Sequence, residues 1–529
     1  YSGRSYFLLY WVAISMSKTI IIIGAGLAGL SAALQAAENG CNVKLVSSLP
    51  SERAQSVMAE GGINAALNTK DENDSPEEHF TDTIKAACGL ADPNAVWGMT
   101  QAAPELVHWL LKLGVKFNMS GYDDVDLRNF GGQKKKRTAF AQSDTGKQIM
   151  TAMIDAVRRK EASGMVERFS HHSFLTLRLC GNICCGCVIR DEYSQETVEL
   201  PGDAVIVATG GMHGLFGNTT GSLSNTGEVT AELFRLGVPL ANGEMIQYHP
   251  TTVKCGGKRM LISEAARGEG GRLFAMKDGK QWYFMEEKYP ELGNLMPRDI
   301  TAREIWKVSH ESEVFLDMTE ISEEIISNKL SGLADDCMTY LHKDIRKEPV
   351  SVLPGIHYFM GGILVDEQHR TPIQNLYAAG ECCAQYHGAN RLGGNSLLGA
   401  LYGGRVAAKS ACEQADVVDL SCATQIDFPP ASQISEIKQL NKVMQETMGV
   451  VRNENTLLNG IQTVQALTGN LPLLGMAVLK SALARKESRG AHWREDYPKS
   501  NDDDYLKTTV ARFDGKQIQI SFVPVPERR

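Results

Sequence analysis

The residues best equipped for chemistry lie in one short stretch, His387-Gly388-Ala389-Asn390-Arg391-Leu392-Gly393-Gly394-Asn395-Ser396-Leu397-Leu398. An imidazole, a guanidinium and three glycines lead into an apolar, small-residue run, Leu397 to Ala408, whose pattern predicts a helix. A loop feeding a helix start offers free backbone N–H groups and the positive end of the helix dipole. An anion or an electron-rich ring suits that place, and the planar Arg391 fork matches a carboxylate. Similar groups recur upstream. Gln247-Tyr248-His249-Pro250-Thr251-Thr252 sets a histidine before a proline, in an extended or turn conformation. Ser263-Glu264-Ala265-Ala266-Arg267-Gly268 places Glu264 and Arg267 three apart, one turn of a helix. Pro297-Arg298-Asp299 adds an arginine, and His357-Tyr358-Phe359-Met360-Gly361-Gly362 a histidine. Each alone reads as structural. Together with Arg391 they converge on glycine-flanked loops, which surface ion pairs do not require.

Elements able to position such a set are visible in the same way. Lys18 to Ile23 is a β-branched run without polar interruption, as in a parallel strand buried on both faces. Gly24-Ala25-Gly26-Leu27-Ala28-Gly29 follows, then an Ala/Leu helix to about Glu38 and a second strand, Asn42 to Val46. Between a strand and a helix this glycine pattern is a dinucleotide fingerprint: Gly24 for the tight turn, Gly26 for approach to a pyrophosphate, Gly29 for helix–strand packing. The acid usual at the end of the second strand is absent, and Ser47 or Ser48 stands there. Glu60-Gly61-Gly62 suits a backbone passing close to a flat ring. Ala204 to Ala208 reads as another buried strand, ending in Thr209-Gly210-Gly211, and Ala378-Ala379-Gly380-Glu381 repeats the pattern after Leu376-Tyr377. Two distant segments therefore return to one nucleotide domain, with an insertion between them. The expected division is a disordered or non-native leader at 1–15 ahead of Met16, a nucleotide domain at 16–242 and 355–412, and a capping domain at 243–354. A linker at 413–430 and a helical C-terminal domain with a polar tail at 431–529 complete it.

Bulk properties exclude several classes. A net charge of −8 argues against nucleic-acid binding. No apolar run reaches the roughly 18 residues of a membrane span. The 12 cysteines suggest reduced thiols in a cytosolic setting. Cys180, Cys184, Cys185 and Cys187 fit no metal-ligand spacing and read as a packed strand, so no metal site is expected. The acids Asp71, Glu72, Asp74, Glu77 and Glu78 read as a solvated face. Of the run Lys134 to Arg137, only Arg137 is a functional candidate.

Together these motifs, with Phe130-Gly131-Gly132, Arg137-Thr138 and Arg485 to His492, resemble the flavoprotein subunit of succinate dehydrogenase and fumarate reductase, over about Lys18 to Pro526. Asn68-Thr69-Lys70 and Asp74-Ser75-Pro76 look most like the branch found with di-haem membrane anchors in Gram-positive bacteria. The resemblance implies an α/β fold: a Rossmann-like FAD-binding domain, an inserted α+β capping domain and a C-terminal helical domain. FAD would lie along Gly24, Gly26 and Gly29, with Ser47, Glu60, Gly61, Gly62, Thr209, Gly210, Glu381, Asn395, Ser396 and Leu397 around it. His249, His357 and Arg391 would hold a four-carbon dicarboxylate, with Ser263 where the family has threonine. Arg298 would be the general acid in fumarate reduction, served by Glu264 and Arg267. The resemblance also implies an iron–sulfur partner and a membrane anchor, with the chain cytoplasmic or peripheral on the cytoplasmic face. Where the family bonds a histidine covalently to FAD this chain has Gln55, which implies non-covalent FAD, a lower flavin potential and a bias toward fumarate reduction. The helical segment from about Leu457 to Ser481 is shorter than the family's. An L-aspartate oxidase, or succinate oxidation as the working direction, is the alternative.

Overall fold

In this computed structural model residues 17–121, 124–416, 428 and 433–529 are described. The expected leader at 1–15, the Met16 start and Pro429-Pro430 of the linker lie outside the described residues.

Strand β1 (Thr19–Ile23) is flanked in parallel by β2 (Asn42–Ser47) and by Ala204–Val207. Val166–Ser170 and Leu376–Ala378 close the two sides of this five-stranded parallel sheet. Ile20, Ile21 and Ile22 have no exposed surface, as an unbroken apolar run requires when both faces are covered. Helix α1 (Leu27–Glu38) starts at the fingerprint. Gly24 sits at φ +110° and a Cβ there would lie 2.2 Å from Ala208 O. A Cβ on Gly29 would lie 1.8 Å from Gly24 O. Only glycine permits both the turn and the close seating of α1. The Asn395–Gln414 helix packs along α1, pinned by Ser31 Oγ donating to Leu401 O at 2.6 Å. It enters the segment expected as a linker at 413 and ends at Gln414.

Between the fourth and fifth strands of that sheet the chain builds other layers. Ile246–Cys255 pairs antiparallel with Lys258–Leu261 and with Leu353–Phe359. Arg272–Lys277, Lys280–Trp282, Val314–Asp317 and Val350–Ser351 form a second antiparallel sheet, covered by its own core around Leu273, Ile305 and Leu316. C-terminal helices Ile434–Thr447, Glu454–Val464 and Asn470–Ala484 pack through Leu440, Leu457 and Leu474 onto Leu215 and Phe359. The last part is not only helical. Lys507–Phe513 and Ile518–Pro524 form a hairpin whose first strand pairs with Leu240–Ala241.

Three expectations need correction, those for Asp74, Arg137 and the cysteines. Asp74 is buried, and its carboxylate takes Arg137 Nε at 3.1 Å and Nη2 at 2.8 Å. Arg137, with Asp82 as its second partner at 2.8 Å, is fully buried and spent on this pairing. A buried guanidinium needs such anions, so the pair is structural. Cys184, Cys185 and Cys187 do lie buried in a strand, Ile183–Asp191. Ten described cysteines are free thiols, but Cys180 is disulfide-bonded, against the expectation of thiols throughout. No helix among the described residues is long and apolar enough to cross a membrane.

Candidate active site

A cavity of about 920 Å³ runs from the fingerprint loop to the face of the inserted segment. Its far end is built from four elements. Strand Ile246–Cys255 carries Gln247 and His249, with an irregularity in pairing between His249 and Thr252 that suits His-Pro. Strand Leu353–Phe359 brings His357 alongside, with the two imidazoles 5.2 Å apart. The short helix Glu264–Gly268, capped by Ser263 Oγ accepting from Ala265 N at 3.4 Å, presents Glu264. Helix Arg298–Val308 presents Arg298 from its first residue.

Arg298 meets Glu264 side-on: Nε and Nη2 donate to Glu264 Oε2 at 2.8 and 2.6 Å, and Nη1 donates to Gln247 Oε1 at 3.1 Å. Arg267 lies behind, 3.5 Å from Glu264 Oε1, with Nη1 donating to Asn294 O at 2.7 Å. Burial pushes the Glu264 carboxyl up, but the Arg298 and Arg267 charges outweigh it and hold it below its ordinary value. Arg391 lies 4.4 Å over the Tyr358 ring. Burial first, then the Arg298 charge, pulls Arg391 down to about 9. His249 and His357 are held well below their ordinary value, by burial and then by Arg298, so both imidazoles are neutral at pH 7. His357 Nδ1 is 2.8 Å from Thr220 Oγ1.

Among the buried side chains of this cluster three guanidiniums face one carboxylate, an excess of two positive charges that the half-buried Glu381 partly offsets at Arg391. Several buried donors also lack a protein partner, among them His249 Nε2 and Arg391 Nε. Isolated buried charge is costly unless an anion completes it. The geometry therefore calls for a small dianion in the cavity.

The near end suits a dinucleotide. A Cβ on Gly26 would meet only Ala54 Cβ and Ser56 Oγ, both at 3.7 Å, so the loop lies open to the cavity. Ser47 Oγ is buried beside it without a partner. Residues 19–397 match the family model described as FAD binding domain, and residues 467–528 the one described as fumarate reductase flavoprotein C-term. The succinate dehydrogenase flavoprotein subunit of Bacillus subtilis is 38% identical, over 97% of this chain and 98% of that protein.

The chain belongs to the succinate dehydrogenase and fumarate reductase flavoprotein family.

The 8-methylmenaquinol:fumarate reductase flavoprotein subunit of Wolinella succinogenes is 32% identical, over 97% of this chain and 92% of that one. A solved Escherichia coli quinol fumarate reductase superposes with a TM-score of 0.87 at 27% identity, covering 96% and 97% of the two chains. Like its family, the protein is an FAD-dependent oxidoreductase with the α/β fold expected from sequence.

Most sequence-named residues line the cavity: Gly24, Gly26, Ser47, Glu60, Gly61, Gly62, Thr209, Gly210, Glu381, Ser396 and Leu397 toward the nucleotide, and His249, Ser263, Glu264, Arg298, His357 and Arg391 at the far end. Gln55 lines it too. Three others lie behind it. Gly29 serves packing, and Arg267 reaches the cavity only through Glu264. Asn395 points away: its Oδ1 accepts from Asn64 Nδ2 at 2.8 Å and sits 2.9 Å from His79 Nε2, while its Nδ2 donates to Thr83 Oγ1 at 3.0 Å. A side chain so committed inside the protein is not a cofactor ligand, which corrects that expectation.

Sequence reasoning missed two further residues. Arg128 donates through Nε to Gly61 O at 3.0 Å and through Nη2 to Glu60 O at 3.1 Å, fixing the glycine turn. His79, fully buried, anchors the start of the Asn395–Gln414 helix. Neither stands in a recognisable motif. Only the buried partner reveals it.

Proposed function

We propose that this chain is the catalytic flavoprotein subunit of a fumarate reductase, reducing fumarate to succinate with Arg298 as proton donor. The observation that carries the reading is the double positive excess beside unpartnered donors in a buried cavity, which matches a dicarboxylate. His249, His357, Ser263 and Arg391 hold the two carboxylates. When bound and reduced by the electron donor, the flavin would supply a hydride to one alkene carbon. Negative charge then grows on the other carbon and its carboxylate, where Arg391 and Arg298 stabilise charge absent from the ground state. Arg298 gives a proton to that carbanion carbon. Glu264, in contact with both arginines, returns a proton from Arg267. Arginine is ordinarily too weak an acid, but an α-carboxyl carbanion is a far stronger base than any side chain here.

FAD is held non-covalently, because the Gln55 amide offers no nucleophilic imidazole for the linkage. The lower flavin potential that follows favours fumarate reduction as the working direction. Identity to the Bacillus subtilis subunit supports the Gram-positive branch. That relatives are named as subunits supports an iron–sulfur partner and, through it, peripheral attachment to an anchor on the cytoplasmic face. The working domain boundaries remain 16–242 with 355–412, 243–354 and 431–529.

The test is anaerobic turnover of the FAD-loaded chain with reduced viologen and fumarate, against L-aspartate with oxygen. Fumarate turnover alone supports the reading, whereas aspartate oxidation without it installs the L-aspartate oxidase instead. Acid precipitation addresses Gln55: flavin released to the supernatant is expected, and a yellow pellet refutes non-covalent binding.

A further inference from the structure

Behind Arg298 and Arg391 lies a hydrogen-bonded chain to which the proposed chemistry assigns no part. Asn390 Nδ2 donates to Asp299 Oδ1 at 2.9 Å. Asn390 Oδ1 accepts from Gln247 Nε2 at 2.9 Å, and Gln247 Nε2 also donates to Arg391 O at 2.8 Å. Gln247 Oε1 accepts from Arg298 Nη1 at 3.1 Å. Asp299 follows Arg298 on the same helix, and Asn390 precedes Arg391 on the same loop. The bonds thus close a ring joining helix Arg298–Val308, strand Ile246–Cys255 and the loop ahead of the Asn395–Gln414 helix.

Its direction follows from donor and acceptor chemistry. A guanidinium only donates, so Gln247 must turn its oxygen to Arg298 and its nitrogen to Asn390, as the Arg391 carbonyl also requires. The Asn390 oxygen then faces Gln247, which leaves its nitrogen for Asp299. The Arg298 end sets this polarity, and both amides are buried, Gln247 fully and Asn390 to within 3%. Rotating either amide would strand buried donors and acceptors, each costing about 1–3 kcal/mol.

For Arg298 the consequence is geometric. Of its five N–H groups, Glu264 and Gln247 take three. The guanidinium is therefore locked in plane, with one N–H left on each terminal nitrogen, and Arg298 lines the cavity.

We propose that Gln247 and Asn390 are positioning residues that tie the substrate-holding loop of Arg391 to the aim of the Arg298 guanidinium. They touch neither substrate nor cofactor. The inference rests on the reading of Arg298 as proton donor.

The test uses FAD-loaded protein with reduced viologen and fumarate, comparing Asn390→Ala, Gln247→Leu and the double variant. A misaimed proton donor costs on the order of 10- to 100-fold in rate, so kcat falls by that factor while KM stays within about threefold, because the Arg391 guanidinium is untouched. Residues acting as one ring are non-additive, so the double variant falls no further than the worse single. Asn390→Asp keeps the volume and sets an oxygen against Asp299. It loses as much rate, and it decides the matter if Asn390→Ala does not fold. Unchanged kcat, a loss confined to KM, or multiplying single effects overturns the proposal. Wild-type protein inert toward fumarate refutes the dicarboxylate reading instead. Urea midpoints of the same proteins then judge the ring, and additive midpoints overturn it too.

Discussion

Arg298 draws its chemistry from two neighbours that do different things. Glu264 withdraws two of its N–H groups into an ion pair and can return a proton, while Gln247 fixes the plane. Replacing Arg298 with alanine removes the proton donor and leaves Glu264 a buried, half-paired anion. Fumarate turnover is expected to fall by about 10²–10⁴-fold, the range for a lost general acid, read as kcat with reduced viologen. Glu60 yields a prediction about pH. Loss of water around it, then the Asp336 charge, raises its carboxyl to about 8 against the opposing pull of Arg128. An acid raised on folding holds its proton longer in the folded state than in the unfolded one. Ionising it therefore costs stability, from nothing below about 4.5 to the full penalty above about 8. The flavin-free chain should lose stability across that window as pH rises, and Glu60→Gln should flatten the loss in urea titrations from pH 5 to 8. At this scale the sequence was partly readable. Glu264 and Arg267 at helical spacing, and histidines in glycine-flanked strands, carry their chemistry in residue type. Gln247, Asn390 and Arg128 do not, because amides and arginines occur everywhere and matter here through their partners. Asn395 misled for the same reason: its place beside Ser396 suggested a cofactor contact, while its side chain serves His79 and Asn64.

At the scale of elements, the strand that presents Gln247 and His249 is anchored from outside the site. Glu244, two residues before that strand, is fully buried and takes Arg485 Nε at 2.7 Å. Arg485 is itself held by Glu487 at 2.7 Å and by Lys507 O at 2.7 Å. Breaking a buried pair at one end leaves an uncompensated charge, a loss of about 3–5 kcal/mol. Arg485→Met is therefore expected to lower the urea midpoint sharply, whereas replacing Arg485 and Glu244 together by apolar residues, with Glu487 still paired to Arg489, should recover part of the loss. Helix Arg298–Val308 is tethered to the same C-terminal region by a different contact, with Arg303 lying 4.1 Å over the Trp493 ring. Regular elements were the most legible part of the sequence. A β-branched run, a glycine turn and an Ala/Leu stretch allow few alternatives, so β1 falls within a residue of the expected bounds and α1 ends at Glu38 as expected, although it starts at Leu27, inside the glycine loop. Strand Val166–Ser170 was not foreseen, since Glu167 and Arg168 interrupt its apolar pattern at the sheet edge.

Taken whole, the molecule is two unlike binding surfaces facing one cavity, a dinucleotide cradle and a cationic pocket. A dianion should therefore act as a stabiliser: ligand at 100 times its Kd adds about 2.7 kcal/mol to folding. Thermal unfolding of the FAD-loaded chain is expected to shift upward with added fumarate, and far less with a monocarboxylate of similar size, which satisfies only one excess charge. Equal shifts for both would sink the charge-matching argument. Overall architecture was legible where distant segments shared one pattern, as with the strands ending in Thr209 and Ala379. The C-terminal hairpin was not, because its partner, Leu240–Ala241, is two residues long and lies some 270 positions upstream. That pairing has a consequence for biosynthesis. Leu240 and Ala241 leave the ribosome some 270 residues before Val510 and Ala511 exist, so a nascent polypeptide must keep that edge open until those distant residues emerge.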